Sequence, residues 1–315
     1  MSRVEADAAV GLRFSGDALP GLIPGVEDEL PAVTVERADA RVLDERWAEG
    51  AEPELIFERP FPDGRPFLRV ERDAGAGYRV SAVEHGIHLL APDGAHCASA
   101  LTDGPVWRGL KLLAAQVLPL LATLRAREVL HAAGVVVDER LIGIVAPSGT
   151  GKSATACNVI AQGGRFFADD VLALEVLDGR VWAHPGTRLL NVYPHDLEAI
   201  ADAGRARLGE PLGTSDKAHF APEGFPGALT LRGLLFLRRS GQAETSAPGP
   251  VAHPSARLLG NAFLPYLDRP ERLALQLEVM STLSRTVPLA ELDIAPGDRP
   301  PELAGIVNEW ARTLP

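Results

Sequence analysis

The octapeptide Ala146-Pro147-Ser148-Gly149-Thr150-Gly151-Lys152-Ser153 constrains the fold more than any other part of this 315-residue chain. It lies between the apolar run Leu141–Val145 and a helix-compatible stretch that begins at Ala154. The pattern is that of a phosphate-binding loop, except that Ala146 stands where the first glycine belongs. In such a loop a strand feeds a tight turn, and backbone N–H groups at the start of a helix converge on phosphate oxygens. The chain is therefore expected to contain an α/β unit. Gly149 and Gly151 supply the turn, Lys152 is placed to reach the β- and γ-phosphates, and the Ser153 hydroxyl to ligate Mg2+. Pro147, Ser148, Thr150 and Ala154 complete the expected nucleotide-binding set.

The next strand adds chemistry. Arg165–Ala168 is a short apolar run that ends in Asp169 and Asp170, the first of them 17 residues after Lys152. A right-handed crossover sets this strand parallel to Leu141–Val145, so both carboxylates arrive at the sheet edge that carries the loop. Adjacent residues at a strand end point in different directions. That suits a division of labour, with one acid toward Mg2+ or its waters and the other toward the proton of an acceptor hydroxyl. His131 enters through register. Val135–Val145 reads as a hairpin turning at Asp138-Glu139-Arg140, with Val137 opposite Leu141 and Gly134 near Ile144. Continuing that register brings His131 near Pro147, where an imidazole can polarise a phosphate, orient an acid or carry a proton.

Around this core the texture changes. From Leu12 to about Pro105, short alternating runs such as VTVER, ELIFERP, FLRVERD, YRVSAVE and GIHLLAP are punctuated by Asp, Gly and Pro, which predicts an antiparallel β-rich unit. A helix over about Pro105–Glu128 leads into the α/β part, and the boundary is set near Arg127, dividing the chain into 1–127 and 128–315. Beyond the acid pair, Asp178-Gly179 between two apolar runs predicts a hairpin. Asp202–Pro226 reads as a long loop or lid, GALTLRGLLFLRR as a strand, and Leu258–Thr286 as helical within limits set by Pro265 and Pro270. The last stretch, PELAGIVNEWARTL, is an amphipathic helix, and GQAETSAPGPVAHPS is a polar connector.

Charge and cysteine content narrow the function. A net charge of -11 disfavours wrapping nucleic-acid phosphates. Cys97 and Cys157 form neither a disulfide framework nor a four-ligand zinc site, which fits reduced thiols in the cytoplasm. The opening residues lack the apolar core of a signal peptide. Val106–Leu124, the most apolar stretch, is interrupted by Arg108, Lys111, Gln116 and Pro119, so no membrane span is expected. Only three of the 31 basic residues are lysines, and of these Lys111 lies on a helix without a motif.

The segment from Leu130 through Glu175 resembles the core of the HPr kinase/phosphorylase-like kinases, in which a histidine precedes a hairpin, the phosphate loop follows and a paired Asp closes the next strand. The resemblance extends more loosely over most of the chain. It implies the HPr kinase and phosphoenolpyruvate carboxykinase type of P-loop fold behind a β-rich N-terminal part. It also implies ATP- and Mg2+-dependent transfer to a serine hydroxyl. Asp169 resembles the family's catalytic base, Asp170 its metal-side acid and His131 its phosphate-side histidine. The Gly-rich signature with a metal-linked Glu found in the HPr kinases themselves is not recognisable downstream. The chain looks closer to the HPr-kinase-like proteins that modify a peptide precursor, as the lasso-peptide tailoring kinases do, or a small hydroxyl compound.

Two further residues are candidates for binding substrate or phosphate. Arg188 precedes an apolar run, where a guanidinium can clamp a phosphate or carboxylate. Lys217 lies in the segment read as a lid, from which it can reach the γ-phosphate or the acceptor on closure. His85 and His88 fall on opposite faces of a strand and so do not make a metal site. The expected function is a kinase acting on a peptide, protein or small-molecule hydroxyl. The alternatives are a nucleotide-binding regulatory or scaffold module without turnover, and metabolite phosphotransfer of the phosphoenolpyruvate carboxykinase kind. Donor preference, the reverse reaction and self-association are left open.

Overall fold

The computed structural model describes residues 6–26, 29–50, 52–264 and 266–315. Residues 1–5 of the opening segment and Pro265 lie outside this set. The first sheet contains β1 (Ala6–Ala9), β2 (Leu12–Gly16), β3 (Ile23–Val26), β4 (Ala32–Arg37), β5 (Glu54–Pro60), β6 (Pro66–Asp73), β7 (Gly77–Ala82), β8 (Gly86–Leu90) and β9 (His96–Leu101). Their order is β3-β1-β2-β4-β9-β8-β7-β6-β5. From β5 to β9 the strands form an antiparallel meander, as the alternation predicts. The prediction of a wholly antiparallel unit fails at β4, which runs parallel to both β2 and β9. Two connections account for this: the segment through β3 separates β2 from β4, and helix α1 (Ala40–Gly50) returns the chain between β4 and β5 so that the meander ends in β9 parallel to β4. The helix escapes a reading by periodicity because only Leu43 and Trp47 anchor it among charged residues.

The connecting helix is continuous but irregular, with α2 (Val106–Leu112), a π-helical turn over Leu113–Val117 and α3 (Leu118–Leu124). The π turn sits just before Pro119, which has no N–H to close an ordinary turn. Among the described residues no helix is long and apolar enough to cross a membrane.

In chain order the second part contains β10 (Glu128–Leu130), β11 (Ala132–Val137), β12 (Arg140–Val145), α4 (Lys152–Ala161), β13 (Arg165–Ala168), β14 (Leu172–Leu177), β15 (Arg180–His184), β16 (Leu190–Val192), α5 (Pro194–Leu197) and α6 (Asp202–Arg205). These are followed by β17 (Glu210–Thr214), β18 (Ala218–Ala221), β19 (Leu229–Arg238), β20 (Pro248–Pro250), α7 (Pro254–Leu259), α8 (Pro270–Thr286), β21 (Leu289–Asp293) and α9 (Pro300–Thr313). The main sheet has the order β10-β14-β15-β19-β12-β11-β13, with β21 against β19. α4 and α9 share one apolar cluster with β11 and β12, while α8 packs in a second cluster with β14 and β15.

Three expectations change in detail. The β11–β12 hairpin turns on two residues, Asp138 and Glu139, both with positive φ, so Val136 faces Leu141 and Gly134 faces Gly143. That is one residue away from the expected register, because the turn takes the two-residue form that suits the twist of a hairpin. β13 runs in the same direction as β12 but is not adjacent to it, since β11 lies between them and is antiparallel to both. The segment read as a loop over Asp202–Pro226 instead holds α6, a 3-10 turn at Ala206–Leu208 and the β17–β18 hairpin, which joins β16 in a three-stranded sheet. The Asp178-Gly179 hairpin forms as expected, with Leu177 opposite Arg180.

One apolar cluster runs across the boundary at Arg127. It joins the first sheet and the connecting helix to Val129, Val171, Ala173, Leu264 and Leu267.

Candidate active site

β12 leads into the phosphate loop and α4 leaves it at Lys152. Ala146 is buried in the cluster beneath α4, so its methyl is packed where the usual motif has glycine. Gly149 and Gly151 have φ of +80° and +113°, and a Cβ built on either would meet nothing within 4 Å. Both are needed for their backbone conformation and not for lack of room. The loop closes on itself through the Thr150 N–H, which donates to the Pro147 carbonyl at 3.2 Å, and the Arg239 guanidinium donates to the Thr150 carbonyl at 3.3 Å.

Because β12 and β13 point the same way, the acid pair stands beside the loop. Ser153 Oγ donates to Asp169 Oδ1 at 2.9 Å, and the backbone N–H of Asn191 donates to Asp169 Oδ2 at 3.0 Å. Asp170 has φ of +64° and turns the other way. It accepts from the nearly buried Lys152 ammonium, and His131 Nε2 lies 3.5 Å from the same oxygen. The two carboxyls are thereby tuned apart. Burial first, and the charge of Asp170 second, push Asp169 above the usual carboxylate range, against Lys152 and the two hydrogen bonds. Burial acts on Asp170 in the same direction, but Lys152 and His131 overcome it and hold that carboxyl well below the usual range.

Two cavities meet here. A cavity of about 480 Å³ is lined by Pro147 through Ala154, together with His131 and Asp170. An adjoining cavity of about 350 Å³ lies between the first sheet, the connecting helix and the loop unit, and Asp169 lines this one alone. Asp170, Asn191, Tyr193 and Lys217 line both. Lys217 sits at the bend between β17 and β18, its ammonium 4.9 Å from the centre of the Tyr193 ring. Arg188 is not brought to the site; its Nε donates to the Pro222 carbonyl at 3.0 Å and it lines neither cavity. His85 is partly exposed and His88 is buried against Ser99, and no metal-holding cluster of three His, Cys, Asp or Glu occurs among the described residues. Cys97 and Cys157 are free and buried.

No protein-family model matches the chain, and no curated protein matches it. A solved structure of the HPr(Ser) kinase/phosphatase from Coxiella burnetii is similar at 14% identity and a TM-score of 0.33, over 58% of this chain and 90% of that one. At that score the likeness carries no weight for the site, whose reading rests on its own residues.

Several site residues have no motif to mark them. Asn191 comes from β16, and its side-chain Oδ1 lies 2.8 Å from His219 Nδ1 on β18. The fully buried His219 stacks on Trp107 of α2, ring centres 4.4 Å apart, and its Nε2 is 3.0 Å from Ser215 Oγ. Burial, followed by the nearby Lys111, takes the His219 imidazole down to about 4, so it is neutral near pH 7. A chain of contacts thus runs from the connecting helix to the backbone that holds Asp169.

Proposed function

We propose that this chain is a kinase that transfers the γ-phosphoryl group of ATP, with Mg2+, to a serine-type hydroxyl of a peptide, protein or small acceptor. The observation that carries the reading is the placement of the acid pair about two adjoining cavities: Asp170 borders both, whereas Asp169 borders only the one away from the phosphate loop. Phosphate binding alone requires no second carboxylate beyond the loop. Phosphoryl transfer uses one to accept the acceptor's proton.

The donor atoms fit Mg2+. Ser153 Oγ and the Asp170 carboxylate are hard oxygen donors, and this ion binds through one or two protein oxygens plus substrate phosphates. When bound, Mg2+ neutralises charge on the phosphate oxygens. Lys152 adds a compact cation to the same oxygens, and His131 orients Asp170 on that side. Asp169, raised by burial, is the better proton acceptor of the two. The hydroxyl oxygen bonds to phosphorus as the bond to the β–γ bridging oxygen breaks, the hydroxyl proton passes to Asp169, and ADP leaves.

The hydrogen bond from Ser153 to Asp169 favours a second division, in which Asp169 stands on the metal side. Kinetics with radiolabelled ATP separate the two. With Asp169 as base, Asp169→Asn is expected to lower kcat by about 10²–10⁴ at an unchanged Mg2+ requirement. A raised Mg2+ requirement with a retained kcat would favour the second division. Tight ATP binding by calorimetry, with no transfer to any acceptor, would instead favour a nucleotide-binding module.

A further inference from the structure

We infer that the 350 Å³ cavity is the acceptor site and that it takes a small hydroxyl compound carrying a carboxylate or phosphate group. This deepens the kinase reading and rests on it. Three observations lead there. The cavity is the one lined by Asp169 and it meets the nucleotide cavity at Asp170, so a hydroxyl within it sits between the base and the phosphoryl donor. Its volume suits a small molecule, and it is walled on one side by the first sheet and on the other by the loop unit.

The third observation is charge. Arg59 of β5, Lys111 of α2 and Lys217 at the β17–β18 bend reach this cavity from three separate parts of a chain with a net charge of -11. Lys111 has Asp216 at 3.9 Å. Arg59 and Lys217 are held instead by aromatic faces, Arg59 at 5.5 Å from the centre of the Phe67 ring and Lys217 at 4.9 Å from that of Tyr193. Among the described residues neither makes an ion pair with a carboxylate. An aromatic face positions a cation without cancelling its charge. On the acid side, Asp170 is matched by Lys152 and Asp216 by Lys111, which leaves Asp169 as a single carboxylate against the two cations Arg59 and Lys217. The cavity therefore keeps positive charge for a ligand. Lys217 also borders the phosphate-loop cavity, so it belongs to the transfer end, whereas Arg59 lines the acceptor cavity alone and marks where the acceptor's anionic group binds, with Lys111 offsetting Asp216 in the same cavity.

The test uses three matched acceptors, glycerol, glycerate and glycerol 3-phosphate, with the full chain, Mg2+ and radiolabelled ATP. Glycerate or glycerol 3-phosphate is expected to be phosphorylated with a kcat/KM at least tenfold above that of glycerol. Arg59→Ala is expected to raise KM for the charged acceptor about tenfold while KM for ATP stays unchanged, and Arg59→Lys to recover part of the loss. Lys111→Ala, on a different element, is expected to act in the same direction. Equal use of charged and neutral acceptors, preference for a serine-containing peptide over all three, or an Arg59→Ala without effect would overturn the inference. ATP binding by calorimetry with no transfer to any of the three overturns the acceptor class but leaves the nucleotide reading standing. Failure to bind ATP overturns both.

Discussion

At the scale of single residues, the site is built from conformations that most side chains avoid. Gly151, at φ of +113°, starts α4 from the left-handed side, and a Cβ there strains the backbone by roughly 1–2 kcal/mol even though space is open. Gly151→Ala is expected to leave the fold intact by circular dichroism while weakening ATP binding about tenfold or more by calorimetry. His88, far from the site, reports on the first sheet. It is fully buried, its Nε2 has no hydrogen-bond partner among the described residues, and burial takes it down to about 3. The unfolded chain takes up that proton near pH 6.5 and the folded chain only near pH 3, so stability falls as pH drops through this window. The melting temperature should fall from pH 6.5 toward 4, and His88→Gln should flatten the slope. The loop glycines, Lys152, Ser153, the acid pair and His131 were legible in the sequence because spacing along one strand-loop-helix-strand unit ties them together. Arg59, Asn191, Tyr193 and His219 were not, because they are contributed by distant strands and meet only in three dimensions. Lys111 looked featureless on its helix for the same reason.

At the scale of elements, pattern reading found most strands and helices but not always their partners. The β11–β12 hairpin shows why: both strands are buried on both faces, so the apolar run gives no alternation to fix register, and the turn decides it. Asp138 and Glu139 sit at φ of 46° and 62°, positions that favour Asn and Gly. Glu139→Gly relieves one left-handed residue and loses only an exposed ion pair with Arg165. It is expected to raise the urea midpoint, with a gain of about 0.5–1 kcal/mol. A result in the opposite direction would mean that the ion pair outweighs the turn. The β17–β18 hairpin was hidden for another reason. Its strands are short, carry Gly and Pro, and gain their partner β16 only once the chain has folded.

At the scale of the whole molecule, the change of texture near Arg127 is real in the sequence, yet it does not divide the apolar core. Val129, Val171, Ala173, Leu264 and Leu267 pack in the same cluster as the first sheet and the connecting helix. A fragment 128–315 would leave those side chains in water, an exposed patch that drives association. Expressed alone, it is expected to lack a cooperative thermal transition and to elute as aggregate on size exclusion. A well-folded monomeric fragment would show instead that the two parts are independent. The shared cluster also governs how such a chain can change. The surface that gives the molecule its stability and the wall that shapes its smaller cavity belong to the same seam, so a substitution that loosens the seam is felt both as lost heat resistance and as a changed cavity shape. A cavity of new shape is then not reached by exchanging the first sheet for another as a cassette. It has to be reached by small, compensated steps along the seam itself.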